Sequence, residues 1–150
     1  MQEEVDLITG ISHMTFIVKD LERSADFFTN IFNAREVYSS ENKTFSLSKE
    51  RFFLIGNLWV AIMEGESLSE RTYNHIAFHI QESDFDAYIQ RIQRIGVDIK
   101  PERPRVSGEG LSVYFYDFDN HLFELHTGSL AERLACYQLI SCIDDEAHLQ

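Results

Sequence analysis

Two imidazoles and one carboxylate stand at matched places in this chain. Ile11-Ser12-His13-Met14-Thr15-Phe16-Ile17-Val18 and Tyr73-Asn74-His75-Ile76-Ala77-Phe78-His79-Ile80 each carry a histidine at the third position and a phenylalanine three residues later. A second echo sets Trp59 to Gly65 against Leu122 to Gly128, both apolar stretches closed by glycine. The two echoes are spaced almost equally, so nearly the whole chain reads as one module written twice. His13, His75 and Glu124 fill three of the four matched positions, and Ala61, the fourth, has no ligand atom. Two nitrogens and a carboxylate, without cysteine, suit Fe(II), Mn(II), Co(II) or Zn(II) with coordination positions left open. Such a metal serves as a Lewis acid toward a substrate oxygen. A single strand histidine is more commonly a hydrogen-bonded structural residue. His79, which shares a strand face with His75, and His126, which shares one with Glu124, compete for the role, as does His121. Equivalent positions of duplicated modules tend to face one cavity, and that favours His13, His75 and Glu124.

The elements that must carry these residues follow from periodicity. His13 to Lys19 alternates and is rich in β-formers, and Asp20 is placed to cap a helix whose Leu21, Ala25, Phe28 and Phe32 make one apolar face. Strands are then expected around Glu36–Tyr38, over Thr44–Ser48 and over Phe52–Glu64, the last broken near Gly56-Asn57. The second module repeats the order. A strand over His75–Ile80 leads to a helix capped by Ser83, with Phe85, Ile89, Ile92 and Ile95 on its apolar face and Gly96 at its end. Strands over Val97–Lys100, Leu111–Tyr116 and His121–Thr127 follow, with Asp117-Phe118-Asp119-Asn120 as a turn. Ser129-Leu130-Ala131-Glu132 is a capping box for a C-terminal helix. The expected layout is an α+β fold of two β-α-β-β-β modules, 10–65 and 71–128, then a helix over 129–139 and a mobile acidic tail over 140–150.

Composition bounds the partners. The 150 residues are enough for one well-buried domain or two half-domains, and 44% hydrophobic residues with 12 Phe argue for a folded chain. A net charge of −12 excludes a general basic footprint for nucleic acid or anionic membrane. Cys136 and Cys142 match neither a redox CxxC pair nor a zinc framework. The N-terminus lacks the apolar core of a signal peptide, and no apolar run reaches the length of a membrane span. A cytoplasmic protein with free thiols is expected.

The paired-module pattern with His13, His75 and Glu124 resembles the vicinal oxygen chelate (glyoxalase) superfamily. More narrowly, Thr44-Phe45-Ser46-Leu47-Ser48-Lys49-Glu50-Arg51-Phe52-Phe53-Leu54-Ile55, Arg71-Thr72-Tyr73-Asn74-His75-Ile76-Ala77-Phe78 and Tyr114-Phe115-Tyr116-Asp117-Phe118-Asp119-Asn120-His121-Leu122-Phe123-Glu124-Leu125-His126 resemble the FosX-type fosfomycin resistance proteins. The resemblance implies a Mn(II)-dependent hydrolase that opens the epoxide of fosfomycin with water. It makes His13, His75 and Glu124 the metal ligands and Glu50 the general base. Read without it, Glu50 in Lys-Glu-Arg is a solvated turn residue lying outside the repeat. The resemblance places Thr15, Ser112, Tyr114 and Arg133 around the phosphonate. From the loop Pro101–Gly110 it adds Arg103 or Arg105, and Arg105 is the one we select. Where glutathione-transferring relatives have a serine in their cation loop, this chain has Gly108. The resemblance further implies a homodimer with shared sites, in which His13 of one subunit meets His75 and Glu124 of the other. A thiol transferase on the same scaffold and a non-catalytic drug-binding protein are the alternatives.

Overall fold

The computed structural model of the protein describes residues 7–148, and side chains through residue 142. The chain divides into two units, Met1–Leu68 and Ser69–Gln150. In the first, β1 (His13–Val18), α1 (Leu21–Phe32), β2 (Arg35–Ser39), β3 (Glu50–Ile55) and β4 (Leu58–Glu64) follow one another. The sheet order is β1-β4-β3-β2, with β1 and β4 parallel and the other neighbours antiparallel. Asp20 starts α1 as expected, its carboxylate accepting from the Arg23 N–H at 3.1 Å. Asn33 ends it in the left-handed region, where a short polar side chain is tolerated. Phe27, Phe28 and Ile31 are fully buried against Phe53, Val60 and Ile62 of the sheet. Each such side chain contributes about 1.5–3 kcal/mol of burial.

The second unit repeats the plan with β5 (His75–His79), α2 (Phe85–Ile95), β6 (Ile99–Lys100), β7 (Ser112–Tyr116) and β8 (Leu122–His126), ordered β5-β8-β7-β6. Its core is Phe85 and Ile92 with Val113, Phe115, Phe123 and Leu125. Gly96 closes α2 at φ 81°. Ser83 does not cap α2: a 3-10 turn over Glu82–Asp84 leads into the helix, and no side chain caps it. α3 (Leu130–His148) is started by Ser129, which accepts from the Glu132 N–H at 3.2 Å.

Two further expectations are corrected. Thr44–Ser48 is not a strand. Its alternating Phe45 and Leu47 are 71% and 84% exposed: the segment belongs to the connection from β2 to β3 and pairs with no strand among the described residues. That connection is closed at its base by the Ser40 N–H on the Glu50 carbonyl and the Glu50 N–H on Ser40 Oγ, both 2.9 Å. The C-terminal helix does not end near residue 139: it runs to His148 and takes in Asp144, Asp145 and Glu146, leaving only 149–150 of the expected tail outside the described residues. Among the described residues no helix is long and apolar enough to cross a membrane.

Candidate active site

Residues paired across neighbouring strands point to the same side of a sheet. In the second unit His75, Ala77 and His79 of β5 pair with Leu122, Glu124 and His126 of β8, and those in turn pair with Tyr116, Tyr114 and Ser112 of β7. All nine therefore lie on the face opposite α2. A cavity of about 590 Å³ opens on this face, lined by His75, Arg103, Tyr114, Glu124, His126 and Arg133 among others.

His75 is oriented for coordination. Its Nδ1 lies 2.7 Å from the Tyr73 carbonyl, which can only accept, so Nδ1 carries the proton and Nε2 presents a lone pair. Nε2 is 3.4 Å from Oε1 of Glu124, a carboxylate 4% exposed. Two electron-rich atoms held this close, with the histidine's other nitrogen anchored on a backbone carbonyl, fit a divalent cation. Tyr73 and Tyr114 flank the imidazole, their ring centres 4.8 and 5.5 Å from it. Burial, then Glu124 and Tyr73, raise the Tyr114 pKa well above the usual phenol value, so it remains a hydrogen-bond donor. Among the described residues no group of three His, Cys, Asp or Glu comes together to hold a metal. The second unit by itself thus supplies two of the three expected ligands.

The two loop arginines part company. Arg103 lines the cavity and donates from Nη2 to Glu109 Oε1 at 2.5 Å. Arg105 turns away from the cavity: Nη2 donates to Ser112 Oγ at 2.7 Å, and Nη1 lies 3.3 Å from Glu109. Glu109 is fully buried and also accepts from the Val106 N–H at 3.1 Å. Burial would raise its pKa, but Arg103, the Val106 N–H and Arg105 outweigh that and hold it below the usual carboxylate range. Ser112, 2% exposed, does not line the cavity. Its hydroxyl lies 2.7 Å from His126 Nδ1 and 3.3 Å from Glu124 Oε2. Burial and the flanking Arg133 and Arg105 lower the His126 pKa, against the pull of Glu124. Of the expected anion contacts, then, Tyr114 and Arg133 lie at the cavity, whereas Arg105 and Ser112 lie behind it.

In the first unit the same parity puts His13 and Thr15 of β1 with Trp59 and Ala61 of β4, and Phe52 and Glu50 of β3, on the face away from α1. Trp59 lies against His13 with ring centres 4.2 Å apart and planes tilted by 30°, and Ser12 Oγ lies 3.0 Å from His13 Nδ1. Glu50 is not a solvated turn residue: it is 8% exposed and is the first residue of β3. Nor does it fall outside the repeat. Glu50 pairs with Met63 as Ser112 pairs with His126, so the two occupy equivalent places in the two sheets.

Arg103, Glu109 and His126 were not among the selected residues. His126 carried a signal, since it shares the strand parity of Glu124. Glu109, between two glycines, looks like a turn residue, and nothing local distinguishes Arg103 from Arg105.

Residues 10–125 match the model of the glyoxalase/bleomycin resistance protein/dioxygenase superfamily. The chain is 66% identical over 131 residues to the fosfomycin resistance protein FosX of Listeria monocytogenes serovar 1/2a, covering 87% of this chain and 98% of that one. It is 39% identical to the metallothiol transferase FosB of Shouchella clausii, over 88% of this chain and 89% of that one. A crystal structure of a FosX variant from Listeria monocytogenes, complexed with Mn(II) and 1S,2S-dihydroxypropylphosphonic acid, superposes with a TM-score of 0.80 at 61% identity, covering 87% of this chain and 99% of that one.

Proposed function

The chain belongs to the glyoxalase/bleomycin resistance protein/dioxygenase superfamily and, within it, to the FosX-type fosfomycin resistance proteins, and from that we infer that it inactivates fosfomycin by adding water to the epoxide. It is a Mn(II)-dependent epoxide hydrolase. The observation that carries the water reading is the diol held with Mn(II) in the 61% identical relative, a phosphonate with a hydroxyl on each of two adjacent carbons. Water opening of the epoxide gives that product, whereas a thiol would leave sulfur on one carbon.

We assign the metal to His75 and Glu124 with His13, and the anion to Arg103, Arg133, Tyr114 and Thr15. When bound, Mn(II) supplies a Lewis acid for the epoxide oxygen. The Tyr73 carbonyl keeps the His75 Nε2 lone pair available by holding the proton on Nδ1. Arg103 and Arg133 offer planar forks that match phosphonate oxygens better than a lysine would, and the Tyr114 phenol donates to them. Glu50 takes a proton from the attacking water as its oxygen bonds to an epoxide carbon and the C–O bond on that carbon breaks. The ring oxygen, released as an alkoxide, takes a proton from water to become the second hydroxyl, and Glu50 gives its proton back to solvent. A carboxylate withdrawn from bulk solvent, as Glu50 is, suits this role. Arg105 and Ser112 act from behind the cavity by supporting the groups that line it.

His75 and Glu124 form a two-ligand pair on one sheet, and His13 stands on the other. On the resemblance to FosX-type proteins we place His13 of one subunit with His75 and Glu124 of a second, in a homodimer with two sites. The unpaired Cys136 and Cys142 support a cytoplasmic location, where thiols stay reduced.

The test is incubation with fosfomycin and Mn(II), without any thiol, followed by phosphorus NMR, with other divalent metals compared. The diol is the expected product. If fosfomycin is consumed only after a small thiol is added, and the product mass includes that thiol, the transferase reading suggested by the 39% identical relative replaces this one.

A further inference from the structure

His126 lines the cavity but is neither an assigned ligand nor an anion contact. Its ring touches three functional groups. Nε2 is 3.4 Å from Nη2 of Arg133. Nδ1 is 2.7 Å from Ser112 Oγ and 3.4 Å from Nη2 of Arg105. Ser112 Oγ in turn reaches Glu124 Oε2 at 3.3 Å.

Both hydrogens of Arg105 Nη2 have oxygen acceptors, Ser112 Oγ at 2.7 Å and the Gly110 carbonyl at 3.5 Å, so its 3.4 Å approach to Nδ1 calls for no hydrogen bond there. A guanidinium only donates, so Nε2 facing Arg133 is the acceptor and the ring proton sits on Nδ1. Nδ1–H then donates to Ser112 Oγ, and Arg105 donates to the same oxygen at 2.7 Å. With both lone pairs taken, the Ser112 hydroxyl has its hydrogen free for Glu124 Oε2. In the other tautomer an Nε2–H would confront the Arg133 N–H. The Ser112 proton would then turn to Nδ1, and Glu124 would lose its hydroxyl donor.

The ring position is also built into the backbone. A Cβ on Gly128 would come within 2.8 Å of His126 Nε2 and 2.5 Å of the Glu109 carbonyl oxygen, so glycine there leaves the ring its space.

We propose that His126, as the neutral Nδ1–H tautomer, is a positioning residue that joins the anion-binding Arg133 to the metal-binding Glu124 through Ser112. It holds the guanidinium in the cavity with one nitrogen and fixes the carboxylate through the serine with the other. The inference rests on the fosfomycin reading for the role of Arg133, but the hydrogen-bond chain itself does not.

The test has two parts. Long-range nitrogen–proton NMR of the imidazoles in the metal-free protein reads the tautomer directly: a protonated Nδ1 and a bare Nε2 are expected at His126, and a protonated Nε2 overturns the proposal. The two arms are then separated by substitution. The amide of His126→Asn reaches the Nδ1 position and can still donate to Ser112, whereas that of His126→Gln reaches the Nε2 position and can still accept from Arg133. His126→Asn should keep Mn(II) affinity and raise the KM for fosfomycin about tenfold or more. His126→Gln should keep the KM and weaken Mn(II) binding, followed by EPR, about tenfold or more. Equal losses in both variants, or a lowered Tm with both constants unchanged, would mean a structural role only. If the wild type leaves fosfomycin untouched, the substrate reading fails, while the tautomer and the Mn(II) affinities still decide the chain of hydrogen bonds.

Discussion

Replacing Glu109 by glutamine removes one buried charge at nearly constant volume. In the native loop Oε1 accepts from Arg103 at 2.5 Å with Arg105 at 3.3 Å, and Oε2 accepts from the Val106 N–H at 3.1 Å. A glutamine must turn its NH2 toward one of these donors, and two guanidiniums then share a buried site without a counter-charge. Breaking a buried pair in this way costs about 3–5 kcal/mol. Arg103, with its side chain 33% exposed, regains water, which puts the expected loss near the bottom of that range, about 3 kcal/mol. For a chain of this size that is a fall in Tm of about 6–12 °C. The pH dependence has a definite sign. Glu109 has a folded pKa below its unfolded one, so its stabilisation is complete above the unfolded value of about 4.3 and is lost as pH falls through the folded value. The gap between wild type and Glu109→Gln in urea melts should therefore be constant from neutral pH to about pH 5 and should narrow below about pH 4. A variant that melts with the wild type at neutral pH, or a gap that widens in acid, would refute the clamp.

Glu50→Gln should bind Mn(II) as the wild type does, by EPR, and lose about 10²–10⁴-fold in turnover; wild-type turnover would remove Glu50 from the role of base. Arg103→Ala should raise the KM for fosfomycin more than Arg105→Ala does, because only Arg103 lines the cavity, and the reverse order in steady-state kinetics would exchange their roles. Light scattering should give a dimer, and a monomer that still binds Mn(II) and turns over would sink the shared site. Treatment with a chelator should abolish diol formation, with Mn(II) restoring it; activity persisting in metal-free protein would remove the cation from the mechanism.

Much of this site was legible in the chain because strand geometry is local. A side chain's face depends only on whether its position is odd or even, so the repeated histidine strands put His13 and His75 on matching faces; Glu124 followed from its matched place in the second echo, since parity alone left His79 and His126 in competition. The helices were readable for the same reason: Leu21 to Phe32 and Phe85 to Ile95 each present an apolar stripe, and Asp20 and Gly96 mark ends set by neighbouring backbone groups. Alternation alone misled at Thr44–Ser48, since Phe45 and Leu47 have the pattern of a strand but are exposed and pair with no strand among the described residues.

What tertiary structure decided was which groups meet across the sheet and the loops. Glu50 reads as a charged turn residue until β3 is seen to pair Glu50 with Met63, which buries it at the place Ser112 holds in the other sheet. Arg103 and Arg105 have the same chemistry and almost the same neighbours in sequence. A fully buried Glu109 and the Ser112 hydroxyl draw Arg105 behind the cavity and leave Arg103 at its wall. His126 likewise gains its hydrogen-bond directions only from Arg133 on α3 and Ser112 on β7. Periodicity is a property of neighbouring residues and survives in the sequence. The sharing of one carboxylate between two guanidiniums, or of one hydroxyl among three groups, exists only once distant strands and loops have closed on each other.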